Sequence, residues 1–173
     1  MANTYVLIAS NTLSTTAASV TFSTIPATYT DLVVKFSARV DGATTGQELR
    51  LRTNSDTGSN YSVTVLRGSG SAASSYRDIN VTYTAGGRAP GTSSTSNVFS
   101  NVEIYIPNYA GTANKPISLF SALEDNAATI SNNIVLGADL HRNASAITSV
   151  DISPTSGNFV SGSSFFLYGI KNS

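Results

Sequence analysis

The sequence predicts an all-β protein: an antiparallel β-sandwich, jelly-roll-like, with about ten strands and little or no helix. Three observations carry this. Apolar residues recur with period two in stretch after stretch, Leu49 and Leu51 against Glu48, Arg50 and Arg52 being the cleanest, as in strands with one face on a core. Turn signals rich in Gly, Asn, Asp, Ser and Pro return about every 8 to 12 residues, the spacing of sandwiches. No stretch keeps a helical period. At 173 residues the chain is expected to form one domain, 1–173, large enough for a core without disulfide staples.

In order, Tyr5 to Ala9 is apolar on both faces, which predicts a strand buried on both sides near a sheet centre. Val20 and Phe22 alternate with hydroxyl residues. After a corner containing Pro26 and Asp31, the alternation resumes with Leu32, Val34, Phe36, Ala38 and Val40 inward and Val33, Lys35, Ser37 and Arg39 outward. Val20 to Val40 therefore reads as two strands and the corner joining them, with Phe22, Leu32, Val34 and Phe36 in the core. Asp41–Gly46 is a turn, because Asp-Gly tolerates positive φ. Gln47 to Thr53 and Tyr61 to Val65 are strands, and Tyr76 to Tyr83 holds a weaker one through Ile79 and Val81.

Thr84 to Ser96 has no apolar face to bury and is expected to be a long surface loop. Strands follow at Asn97–Ile106, Pro116–Glu124, Ile134–His141 and Ala146–Ile152, with Tyr109–Lys115 and Asp125–Asn133 as loops. Ser164 to Ile170 is again apolar on both faces. The first and last strands are expected to lie centrally and side by side, bringing the termini together. Scrambling the last strand is expected to abolish folding, whereas cutting the Gly86–Ser96 loop is not.

Chemistry is sparse. Zero cysteine removes disulfides, thiolate nucleophiles and cysteine metal sites. His141 is the only histidine, so a Ser-His-Asp triad would need it as base, oriented by Asp139 or Asp151. No Gly-x-Ser-x-Gly elbow presents a nucleophile, and His141 reads as a strand-end residue beside a turn. A calcium site would draw on Asp31, Asp41, Asp56 or Asp125, but these form no spaced loop and read as turn residues. Glu124 and Asp125 adjoin at a strand end, pointing to opposite faces, and make a poor glycosidase pair. No enzyme, cofactor or metal is expected.

Charged residues are 12% of the chain and the formal net charge is zero, so no broad field attracts nucleic acid or an anionic membrane. Lys35, Arg39, Arg50 and Arg52 would form a basic stripe if their strands were neighbours, but without interleaved aromatics they read as a solvated face, with Glu48 and Glu103 as partners. Eight tyrosines leave sugar binding open, Tyr29, Tyr76, Tyr83 and Tyr109 lying in or beside turns. Zero tryptophan removes the usual stacking platform. Met1 to Ser10 carries no cation before its short apolar run and is expected to be a strand of a mature protein made in a cytoplasm. The sequons at Asn60, Asn80 and Asn143 are what a Ser/Thr/Asn-rich chain produces by chance.

Three segments together carry a resemblance: Phe22-Ser23-Thr24-Ile25-Pro26-Ala27-Thr28-Tyr29-Thr30-Asp31-Leu32, Phe99 through Asn101-Val102-Glu103-Ile104-Tyr105-Ile106-Pro107-Asn108 to Tyr109, and Gly162 through Phe165-Phe166-Leu167-Tyr168 to Ile170. The chain resembles small tailed-bacteriophage virion structural proteins, which include capsid decoration, or cement, proteins and fibre modules. The resemblance implies a non-enzymatic jelly roll, assembling as a homo-oligomer with a trimer favoured. It also implies that the protein is made in the host cytoplasm, located in the virion at the capsid surface, and partnered by the major capsid protein or other virion proteins. The alternative it leaves open is a tail or head fibre module binding a host-surface glycan or receptor. It carries no catalytic residue.

Overall fold

The computed structural model describes residues 4–126 and 134–171, and these form twelve strands and no helix. The strands are β1 (Tyr5–Thr12), β2 (Val20–Phe22), β3 (Asp31–Ser37), β4 (Gln47–Thr53), β5 (Tyr61–Gly68), β6 (Ala73–Val81), β7 (Thr84–Ala89), β8 (Asn101–Ile106), β9 (Lys115–Ala122), β10 (Ile134–His141), β11 (Val150–Pro154) and β12 (Ser164–Ile170). An eight-stranded sheet runs β1-β12-β3-β8-β9-β10-β5-β6, and a four-stranded sheet runs β2-β11-β4-β7. Every ladder is antiparallel. The fold is the expected antiparallel β-sandwich, with twelve strands rather than ten.

The inward positions of both sheets meet in one apolar cluster. Phe22, Leu32, Val34 and Phe36 are all buried in it, beside Ile104, Ile152 and Leu167. Phe165 is its aromatic centre: it stacks on Phe36 at 5.3 Å and meets Phe159 edge-on at 5.0 Å. The Val20–Val40 stretch divides between the layers, because β2 belongs to the small sheet and β3 to the large one. Its corner is held by Asp31, whose carboxylate accepts from the Tyr105 hydroxyl at 2.9 Å and the Asn108 amide at 2.8 Å. Tyr109 closes the same corner, buried and donating its hydroxyl to the Pro26 carbonyl.

Two expectations fail. The first and last strands do pair, Tyr5 opposite Ile170, but β1 is the edge of the large sheet and not its centre. Tyr5 and Leu7 stand about half exposed, at 50% and 52%. A strand apolar on both faces is buried on both sides only if the chain covers both, and among the described residues no second layer covers the outer face of β1.

The expected Thr84–Ser96 surface loop is, in its first half, the buried edge strand β7. Its residues need no apolar side chains because they contribute backbone. Register passes from Glu48 opposite Arg88 to Arg50 opposite Ala85, leaving Gly86 and Gly87 as a bulge. A Cβ on Gly86 would lie 2.8 Å from the Arg50 carbonyl carbon, and Gly87 has φ +86°, so both positions demand glycine. Arg39 secures the following loop through the carbonyls of Gly91, Thr95 and Val98 at 2.7 to 3.0 Å. Deleting Gly86–Ser96 therefore removes a core strand, contrary to the tolerance expected of it. Part of the Asp125–Asn133 loop lies outside the described residues.

Candidate functional site

The outer face of the eight-stranded sheet is where the chain's unused apolar surface collects. Strand alternation sends Leu66, Leu136 and Phe120 to this face, and the ladders place them directly opposite one another in a single row across β5, β10 and β9. Ile134 precedes Leu136 by two residues and Ile79 pairs with Ser62 on the same side. Toward the other edge the row continues through Glu103 and Lys35 to Phe166. The adjacent row runs Ser118, Tyr105, Val33, Tyr168 and Leu7. Tyr5, Leu7, Leu66, Ile79, Phe120, Ile134 and Leu136 are the large apolar side chains that stand exposed among the described residues, and all lie on this face.

A single ion pair divides the face, Lys35 Nζ to Glu103 Oε2 at 2.8 Å, which raises the Lys35 pKa. A shallow depression of about 310 Å³ opens beside it among Tyr105, Phe120 and Leu136. Seven strand spacings make the sheet about 34 Å wide and a seven-residue strand about 23 Å long. The footprint is thus close to the roughly 800 Å² that each partner contributes to a stable interface.

A second feature opens between the sheets where β5 and β6 extend past the small sheet's edge strand β7. This cleft of about 300 Å³ has an apolar floor of Leu49, Val63, Val65 and Val135 and a polar rim of Glu48, Arg67, Tyr76, Asp78, Tyr83 and Arg88. Two guanidinium groups converge on one carboxylate oxygen: Arg67 Nη2 lies 2.6 Å and Arg88 Nη1 3.4 Å from Glu48 Oε1. Arg67 also donates to the Tyr76 hydroxyl at 3.0 Å and sits 4.5 Å from that ring's centroid. Burial lowers the Arg88 pKa. Arg50 covers Tyr83 at 4.8 Å from the other side.

The candidates for catalysis and metal binding fall elsewhere. His141 is 1% exposed, stacked on Tyr61 at 4.3 Å. Its Nδ1 lies 2.7 Å from Thr53 Oγ1 and its Nε2 2.9 Å from Asp56 Oδ2. The acid beside the imidazole is therefore Asp56, reached from a turn, and not Asp139 or Asp151. Thr53 is 0% exposed, so this hydroxyl-imidazole-carboxylate chain has no opening for a substrate and ties the Asp56 turn to the core. Asp151 accepts from Thr21 at 2.9 Å across the small sheet. Asp139 is buried beneath β7, accepting from the Ala85 amide at 2.9 Å, and burial pushes its pKa up to about 7.

Asp31 and Asp41 each accept a backbone amide, from Asn108 and Asn158, and Glu124 accepts from the Asn126 amide. Among the described residues no three of His, Asp and Glu gather as a metal site. The basic stripe does not assemble: Lys35 is on the large sheet, Arg39 in a loop anchor, and Arg50 and Arg52 flank Tyr83. Glu103 partners Lys35 as expected, whereas Glu48 serves Arg67 and Arg88. Of the turn tyrosines, Tyr29 and Tyr109 close the core and Tyr76 and Tyr83 line the cleft. Sequence reasoning missed the cleft because its arginines lie on strands that only the β7 bulge brings together. It also missed Lys115, buried with Nζ donating to Gly111 O at 2.6 Å.

No family model and no curated protein matches the chain. Among solved structures it is similar to the galectin LEC-6 of Caenorhabditis elegans, at 10% identity and a TM-score of 0.31, over 98% of this chain and 96% of that one. It is also similar to CG-16, a homodimeric agglutinin from chicken liver, at 12% identity and a TM-score of 0.32, over 85% and 98%. At such scores the chains do not superpose closely enough for a site to transfer.

Proposed function

We propose that the protein is a non-enzymatic structural component of a tailed-bacteriophage virion, a decoration protein that docks on the capsid lattice through the outer face of its eight-stranded sheet. The observation that supports this is the confinement of the exposed large apolar side chains of the described residues to that one face. Monomeric proteins rarely leave so contiguous an apolar surface open, and where it persists it marks contact with a partner. The divided pattern, two apolar fields about a Lys35–Glu103 pair, suits a partner that is itself mostly apolar with a small polar feature, since charge at an interface selects more than it strengthens. Binding the assembled lattice and not free subunits would stabilise the particle by mass action. Closed homo-oligomers, a trimer first, would array such faces around a symmetry axis.

The test uses particles lacking the protein, with purified chain added back. Wild-type protein is expected to co-sediment with them and restore heat stability, and Phe120→Asp or Leu136→Asp to weaken that binding at least about a hundredfold by burying an unpaired charge. Both side chains are nearly half exposed, at 46% and 45%, so the fold survives the change. Particles that keep full heat and osmotic stability without the protein but fail to adsorb to cells would sink this function in favour of a fibre module recognising a host glycan.

A further inference from the structure

We infer that the cleft between the sheets is a binding site for a small organic acid, its carboxylate held by Arg67 and Arg88 and its apolar body lying on Val63, Val65 and Val135. The site is separate from the sheet face proposed for docking and faces the opposite side of β5, so the two can fail independently.

Volume and lining are the first support. About 300 Å³ with an aliphatic floor and a few convergent polar groups at the rim is the make-up of a small-molecule pocket. The second is charge. The Arg67 side chain is 20% and the Arg88 side chain 10% exposed, whereas Glu48, whose single oxygen serves both, is 46% exposed. Two largely desolvated cations thus share one anion that remains half in water, and the Nε atoms of both arginines are buried without a hydrogen-bond partner. Arg88 also donates to the Gly46 carbonyl and Arg67 to the Tyr76 hydroxyl, but neither is a second anion; a guanidinium fork matches carboxylate and phosphate oxygens, and the aliphatic floor selects a carboxylate carried on an apolar body. The rim's other carboxylate, Asp78, is exposed on the edge strand β6.

The third support is the tyrosine pair. Tyr76 stacks against Arg67 and accepts from it at its hydroxyl, while Tyr83 is clamped by Arg50. Both rings form flat apolar walls with a polar tip, which selects a body that is planar or slender. In this arrangement Glu48 occupies the place a ligand carboxylate would take, so it acts as a resident competitor.

The experiment is an amide and methyl NMR titration of the intact chain with 3-phenylpropanoate and, in parallel, its neutral amide. Saturable shifts at Val63, Val65 and Val135 with the acid, and about tenfold or more weaker ones with the amide, are expected, charge-assisted contacts being worth at least that factor. Arg67→Gln should abolish the preference for the acid. Glu48→Gln, which removes the competitor without touching the floor, should tighten acid binding several-fold. Equal response to acid and amide, shifts confined to other surfaces, or an acid affinity unchanged in both variants would overturn the assignment.

Discussion

Asp139→Asn offers the sharpest physical test of this interior. Asp139 is 5% exposed, with Oδ2 accepting from Ala85 N and Oδ1 buried without a hydrogen-bond partner. Burial is the leading cause that pushes its pKa to about 7 from the ordinary aspartate value of 3.8; the amides of Ala85 and Thr64 oppose it. The folded pKa is raised, so this group's stabilising contribution is full below pH about 4 and is lost as pH rises through about 7. Three pKa units correspond to about 4 kcal/mol as an upper bound. Asparagine keeps an oxygen for Ala85 N and cannot ionise, but its buried amide lacks an acceptor, at about 1 to 2 kcal/mol. Urea denaturation at pH 5, 6, 7 and 8, followed by tyrosine fluorescence, is expected to show wild-type stability falling across this window. The variant should be about as stable as wild type at pH 5 and the stronger by about 2 kcal/mol at pH 8. His141 is common to both and cancels in the difference. Parallel curves for the two proteins would refute an ionisable, desolvated Asp139.

Asp56 should behave oppositely. The hydrogen bond from His141, then that from Asn60, lowers its pKa to about 2; a lowered folded pKa gives stability that is present above pH about 4 and disappears as pH falls toward 2. With partial exposure discounting the shift, Asp56→Asn should lose about 1 kcal/mol at pH 6 and nothing at pH 2, read by the same denaturation curves. Gly86→Ala should cost about 2 to 3 kcal/mol, because its Cβ would meet Arg50 backbone at 2.8 Å; a melting temperature equal to wild type would contradict the buried β7 bulge.

Much of the sandwich is legible in residues that alternate over at least five positions. Leu49 and Leu51, Val63 and Val65, and Phe36 and Val34 each announce their face, since a strand's period of two leaves no other way to bury them. β7 is illegible for the opposite reason. Its glycines serve a bulge and its alanines and threonine are small, so burial there follows backbone fit, which hydrophobicity does not encode. The Arg67–Glu48–Arg88 rim is equally silent, because Glu48 and Arg88 become neighbours only through that bulge and Arg67 arrives from the other sheet. Asp56 with His141 is a pair 85 residues apart, and neither residue's local sequence names the other.

By itself the sequence determined the class of the protein: strands from alternation, their number to within two, a core containing Phe22, Leu32, Val34 and Phe36, and the pairing of the first strand with the last. Only the tertiary structure decided which apolar faces are covered. Alternation states that a side chain seeks an apolar neighbour but not whether this chain supplies one. For Phe165 and Leu167 it does; for Leu7, Phe120 and Leu136 the described residues do not, because the small sheet packs on one face of the large sheet and these side chains point to the other.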